Sequence, residues 1–163
     1  MDFIDLKTQQ KLIRDKIDER ISNVLNHGQY IQGPEIKELE NKLSILSKSK
    51  FVLCCSSGTD ALLLGLIALG LKPKDAVIVP SFTFASTAEA VCMLGGIPFF
   101  SDVKLDTFNI CEKSISKCIE KSKKLGISIK GIITVGLFGQ PCDMKKIKEV
   151  AKAHKLWVFD DAA

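Results

Sequence analysis

The stretch Cys54-Cys55-Ser56-Ser57-Gly58-Thr59-Asp60-Ala61-Leu62 decides the reading of the fold. An apolar run from Phe51 stops here at small hydroxyl residues, and an apolar pattern with helical spacing follows. That succession predicts a strand, a tight turn and a helix start. Ser57 or Ser56 supplies the cap, Gly58 lets the backbone approach a ligand closely, and the first amides of the helix point at whatever lies above the turn. An anion suits that place, because the donors have no helical partner and the helix dipole is positive there. A capped helix with nothing bound satisfies the same local pattern, so the rest of the chain has to decide.

Outward from this turn, short apolar runs alternate with helical patterns. Strands are expected at 51–55, 76–80, 97–101, 131–135 and 156–159, with helices at 58–69, about 86–94, near 111–124 and about 143–154. Five strands with helical crossovers define an α/β fold with a mostly parallel sheet and helices on both faces. Ahead of it, Ile13, Ile17, Ile21 and Val24 recur at helical spacing up to the stop Asn26-His27-Gly28. Pro34 then opens a second helix with Ile36, Leu39, Leu43 and Leu46 on one face. The expected organisation is a helical arm at 1–50 followed by an α/β domain at 51–163.

The totals exclude several classes. With 163 residues, 46% hydrophobic and 26% charged, the chain is globular rather than disordered or fibrous. Its net charge of +4 is mild, and the lysines at 113, 117, 121, 123, 124 and 130 read as a solvated helix face rather than a nucleic-acid surface. The longest apolar stretch, 61–71, is too short for a membrane span, and the first residues lack a signal-peptide pattern, so a cytoplasmic location is expected. Six cysteines without C-x-x-C spacing read as reduced apolar residues, Cys54 and Cys55 within a buried strand. His27 and His154 stand near helix ends, where they suit the dipole better than a metal.

Ligands of parallel sheets sit at the carboxyl ends of the strands. The residues there are Ser56–Thr59, Ser81–Phe84, Asp102, Gly136–Gln140 and Asp160–Ala163. A phosphate grip, aromatic faces in Phe82 and Phe84, and the carboxylates Asp160 and Asp161 together suit a phosphorylated, cationic aromatic ring such as pyridoxal phosphate. Taken alone, Asp160-Asp161 reads rather as a helix cap or a solvated turn after a strand.

Four motifs stand in order along the chain: Ser57-Gly58-Thr59-Asp60-Ala61-Leu62, Pro80-Ser81-Phe82-Thr83-Phe84-Ala85-Ser86-Thr87, Leu137-Phe138-Gly139-Gln140 with Asp143, and Asp160-Asp161-Ala162-Ala163. In this order and spacing they resemble the sugar aminotransferases of the DegT/DnrJ/EryC1/StrS family. The start Phe3-Ile4-Asp5-Leu6-Lys7 and the loop from His27 to Glu35 match as well. The resemblance implies the large-domain part of a type I pyridoxal phosphate-dependent transferase fold. It also implies that Gly58 and Thr59 bind the cofactor phosphate, Phe84 stacks on the pyridine, Asp161 pairs with its nitrogen and Ala163 packs beneath the ring. Gln140 and Tyr30 are expected near the site without an assigned role. Asp160 stands where the family often has Glu, and Ser57 where Asn is common.

The implied activity is transfer of an amino group, usually from glutamate, to a nucleotide-linked keto sugar for surface polysaccharide or related amino-sugar synthesis. The His27–Glu35 loop most resembles members acting on a UDP-linked 3-keto sugar acid. Such enzymes are homodimers. The Schiff-base lysine of the family lies downstream of the Asp-Ala-Ala segment, and no lysine here stands in a matching position. The chain is therefore expected to be an N-terminal fragment, inactive alone. Two other readings stay open: a dehydratase of the same family with histidine in place of that lysine, and a short, non-catalytic cofactor-binding chain.

Overall fold

The computed structural model describes residues 4–162; Phe3 and Ala163, both named in the motifs above, lie outside the described residues. The chain divides into two compact units, Met1–Cys54 and Cys55–Ala163. Among the described residues no helix is long and apolar enough to cross a membrane.

The first unit holds α1 (Leu6–His27) and α2 (Pro34–Ser47). The start of α1 is capped by Asp5, whose carboxylate accepts the Thr8 amide at 3.0 Å. Its end is Gly28 in the left-handed conformation, φ 67°, with its N–H returned to the Val24 carbonyl. Pro34 occupies the first turn of α2, as the sequence predicts. Neither helix buries a residue completely, and the apolar stripe runs through Ile21, Leu25 and Leu39, all exposed. Polar contacts join the two helices instead. The Arg20 guanidinium donates to both carboxylate oxygens of Glu38, and the Lys42 ammonium donates to the same group. These donors hold the Glu38 carboxyl down to about 2.

The second unit runs α3 (Gly58–Ala68), β1 (Ala76–Pro80), α4 (Ser86–Met93), β2 (Ile97–Ser101), α5 (Glu112–Lys124), β3 (Ile129–Val135), α6 (Met144–Ala153) and β4 (Trp157–Asp161). The sheet has four parallel strands in the order β2-β1-β3-β4. β1 is buried along its whole length, as is β3 from Gly131 on, because helices cover both faces. Pro98 is tolerated in β2 because that strand lies at the sheet edge.

One face carries α3 and α4, with Leu62, Leu66, Ala90 and Val91 packed on Val77, Val79, Ile133 and Val135. The other carries α5 and α6, with Ile115, Ile119, Ile147 and Ala151 packed on Ile78 and Ile132. The chain steps outward from β1 to β2 through α4, then crosses β1 through α5 to reach β3. Opposite directions on opposite faces are what one handedness of crossover requires. The reversal of strand order falls between β1 and β3, where parallel sheets open their binding crevice.

One expected strand is absent. Residues 51–55 form no strand, and the sheet has four members rather than five. An apolar run becomes a strand only when a neighbour completes its ladder, and here the Cys54 amide donates to the Glu40 carboxylate at 2.8 Å. Phe51 and Leu53 are exposed and Cys55 is open to solvent, so the cysteines are not the buried strand residues expected.

Close packing of β3 against β4 depends on Gly131, where an added Cβ would stand 2.1 Å from the Trp157 indole. Gly131→Ala should therefore lower stability by about 1–3 kcal/mol, read from urea denaturation. In the first unit, the folded-state pKa of Glu38 lies below its ordinary 4.5, so its stabilising share is complete above that pH and is lost as pH falls towards 2. Glu38→Gln should flatten the acid limb of helix loss followed by circular dichroism over that window; the effect is small because the groups are exposed.

Candidate functional site

The turn at 56–60 folds as its sequence dictates. Ser57 is the N-cap of α3 in extended conformation, and its hydroxyl oxygen accepts the Asp60 amide at 3.1 Å. The first helical bond runs from the Ala61 amide to the Ser57 carbonyl at 3.0 Å. The amides of Gly58 and Thr59 are thereby the first-turn donors without a helical acceptor. The Asp60 carboxylate takes the hydroxyls of Ser56 and Ser57, which lower its pKa. It does not line the neighbouring cavity, so it does not occupy the place an anion would take.

That cavity, about 260 Å³, lies at the carboxyl edge of the sheet and is bounded by Gly58, Thr59, Phe84, Leu137 and Asp161 over an apolar floor of Leu62 and Val135. Each wall has its own origin. Gly58 and Thr59 come from the start of α3, Phe84 from the loop after β1, Leu137 from the loop after β3, and Asp161 from the last position of β4. A Cβ on Gly58 would meet nothing within 4 Å, so the helix start faces open space. The Thr59 hydroxyl donates to Ser86 Oγ at 3.1 Å, tying α3 to the start of α4.

The pleat sorts the two carboxylates. Trp157 and Phe159 pack on the α3–α4 face, so Asp161, two residues further on, emerges on that face and reaches the cavity. Val158 packs on the α5–α6 face, and Asp160 follows it, accepting the Thr134 hydroxyl. The ambiguity between Asp160 and Asp161 in the sequence is thus a matter of strand phase. Gly65 sets the distance of α3 from β4, since a Cβ there would stand 2.4 Å from the Phe159 ring.

Four of the residues singled out by sequence, Gly58, Thr59, Phe84 and Asp161, line this one cavity. Phe84 is 72% exposed, which removes core packing as its role. Phe82 lies elsewhere, its ring 5.5 Å from that of Phe108, which in turn meets Phe138 edge-on at 5.6 Å. Gln140 also stands apart: its carbonyl, with that of Pro141, accepts the Asn109 side-chain amide. Asp102 caps its own loop through the Val103 amide. Tyr30 belongs to the other unit and is exposed. Leu62, Ser86, Val135 and Leu137 complete the lining without a site role read from the sequence; periodicity marks such side chains as core or cap, and only the closed sheet brings them to the cavity.

A helix start with free first-turn amides, an exposed aromatic ring and a carboxylate thus surround one cleft at the strand-order reversal of a parallel α/β sheet, the place where such folds bind ligands. Residues 11–163 match the DegT/DnrJ/EryC1/StrS aminotransferase family, and the chain belongs to that family. Among curated relatives, the UDP-2-acetamido-2-deoxy-3-oxo-D-glucuronate aminotransferase of Pseudomonas aeruginosa is 42% identical over all of this chain and 44% of its own length. A crystal structure of a DegT/DnrJ/EryC1/StrS aminotransferase from Brucella abortus superposes with a TM-score of 0.95 at 39% identity, covering 98% of this chain and 43% of that one. The NtdA protein of Bacillus subtilis with bound cofactor PMP superposes at 0.84 with 36% identity, covering 91% and 33%. The chain thus spans less than half the length of these relatives. Aminotransferases of this family depend on pyridoxal phosphate.

Removing the Ser57 hydroxyl leaves the Asp60 amide without its cap. Ser57→Ala should cost about 1 kcal/mol in chemical denaturation, whereas Ser57→Asn, which caps as well, should cost only a few tenths.

Proposed function

We propose that this chain forms the cofactor-binding part of a pyridoxal phosphate-dependent aminotransferase acting on a nucleotide-linked keto sugar. The observation that carries the reading is the meeting of the α3 start and Asp161 on one cavity. The fit is favourable on three counts: first-turn amides at Gly58 and Thr59, open space where a Gly58 side chain would project, and an apolar floor on which a flat ring can lie. When bound, pyridoxal phosphate supplies a cationic ring that accepts the electron pair left on carbon as the amino group moves.

The chain's own residues divide the remaining work. The Gly58 and Thr59 amides bind the phosphate, with the Thr59 hydroxyl close by and oriented by Ser86. Phe84 stacks on the ring and excludes water from one side. Asp161 holds the proton on the ring nitrogen, since a nearby carboxylate favours the charged form. No lysine is among the residues lining the cavity, and the reading assigns the nucleophile to the rest of the full-length protein.

For the acceptor we favour a UDP-linked 3-keto sugar acid, supported by the likeness to the Pseudomonas aeruginosa relative, with glutamate as donor. A homodimer in the cytoplasm, serving surface polysaccharide or related amino-sugar synthesis, completes the proposal.

The test uses the full-length gene product with pyridoxal phosphate. Visible absorbance should show a bound cofactor, and borohydride should fix it covalently to one lysine. Turnover with glutamate should be highest for the UDP-linked keto sugar acid among several nucleotide-linked keto sugars; strong preference for another sugar would overturn the substrate assignment. Asp161→Asn should retain the cofactor phosphate contacts yet reduce kcat by about 10²–10³-fold or more, as for loss of a preorganised electrostatic partner.

A further inference from the structure

Granting Asp161 the role given above, we propose that the Thr134 hydroxyl is a positioning group for it, acting through Asp160 and the last pleat of β4. Thr134 interrupts the aliphatic run Ile132-Ile133-Thr134-Val135 and is completely buried. A hydroxyl in that setting is costly unless it is bonded. The register places Thr134 beside Asp160, and Val135 beside Asp161. Thr134 Oγ1 lies 2.5 Å from Asp160 Oδ1, against 3.5 Å from the Phe159 carbonyl and 3.9 Å from Met144 Sδ. A hydroxyl has one proton to give, and the carboxylate is both the nearest and the strongest of the three acceptors.

Neighbouring side chains of a strand leave on opposite faces, so a twist of the backbone at 160–161 that moves one carboxylate moves the other as well. Holding Asp160 on the α5–α6 face therefore directs Asp161 into the cavity on the α3–α4 face. Backbone pairing also joins β4 to β3 here, ending with the Gly136 amide on the Asp161 carbonyl at 3.1 Å. Backbone pairing fixes the path of a strand end but leaves its side chains to twist. The Thr134–Asp160 bond adds a restraint on that twist.

The experiment compares wild type, Thr134→Val and Thr134→Ser in the full-length gene product with pyridoxal phosphate. The readouts are the visible circular dichroism band of the cofactor, kcat and KM for the sugar nucleotide, and the thermal unfolding midpoint. Valine keeps the shape and removes the proton. It should lower kcat roughly tenfold and weaken the dichroism band, with KM changed less than about twofold, because displacement of a positioned group acts on the chemical step. Serine should restore both to within about twofold of wild type. Asp160→Asn, at an exposed side chain that leaves the core intact, should reproduce the valine effect in smaller measure.

An unchanged kcat and dichroism band in Thr134→Val would overturn the role. So would a lowered unfolding midpoint with normal kcat and band, which is what a merely structural hydroxyl would give. Wild type that binds no pyridoxal phosphate would instead remove the reading of the cavity itself, and with it the role of Thr134.

Discussion

The constraint behind the second unit is that its four strands all run the same way. Parallel pairing forces each connection to return the full length of the sheet, and the returning helices cover both faces. Every strand therefore ends at the same edge, and residues far apart in sequence become neighbours there. Phe84 follows β1, Leu137 follows β3 and Asp161 ends β4, yet the three bound one cavity. The reversal of order between β1 and β3 opens the space they share.

The helix whose first-turn amides border the cavity is held differently. No strand leads into α3, since the Cys54 amide is committed to Glu40. Its place comes from packing: Leu62 and Leu66 are buried against the sheet, and Gly65 allows the helix to lie close to Phe159. The Thr59–Ser86 hydrogen bond adds a polar tie near the site. A helix located by its side chains, rather than by a strand-to-turn lead, keeps its start at the cavity that Asp161 also lines.

Much of this was legible in the sequence because the signals were local. Ser57 capped α3, Gly28 ended α1, Pro34 began α2, and the strands at 76–80 and 97–101 have the predicted bounds. Gly58, Thr59, Phe84 and Asp161 came together because strand ends and helix starts can be read one at a time and the parallel sheet does the rest. What was not legible depended on partners. Residues 51–55 have the composition of a strand but no ladder to join, and composition cannot report a missing neighbour. Phe82 and Phe84 look alike as residues two apart, yet Phe82 joins Phe108 and Phe138 in a separate aromatic cluster. The Thr134–Asp160 contact spans two strands and requires register, which a single strand's pattern does not contain.

Trp157, the single tryptophan of these 163 residues, lies flat against Gly131 on the face of β4 that also presents Asp161. Its indole is thus a built-in fluorophore about 13 Å along β4 from the cleft that Asp161 lines. A ring absorbing in the near ultraviolet, once in that cleft, would quench its emission by energy transfer, an optical gauge of cleft occupancy without any added label.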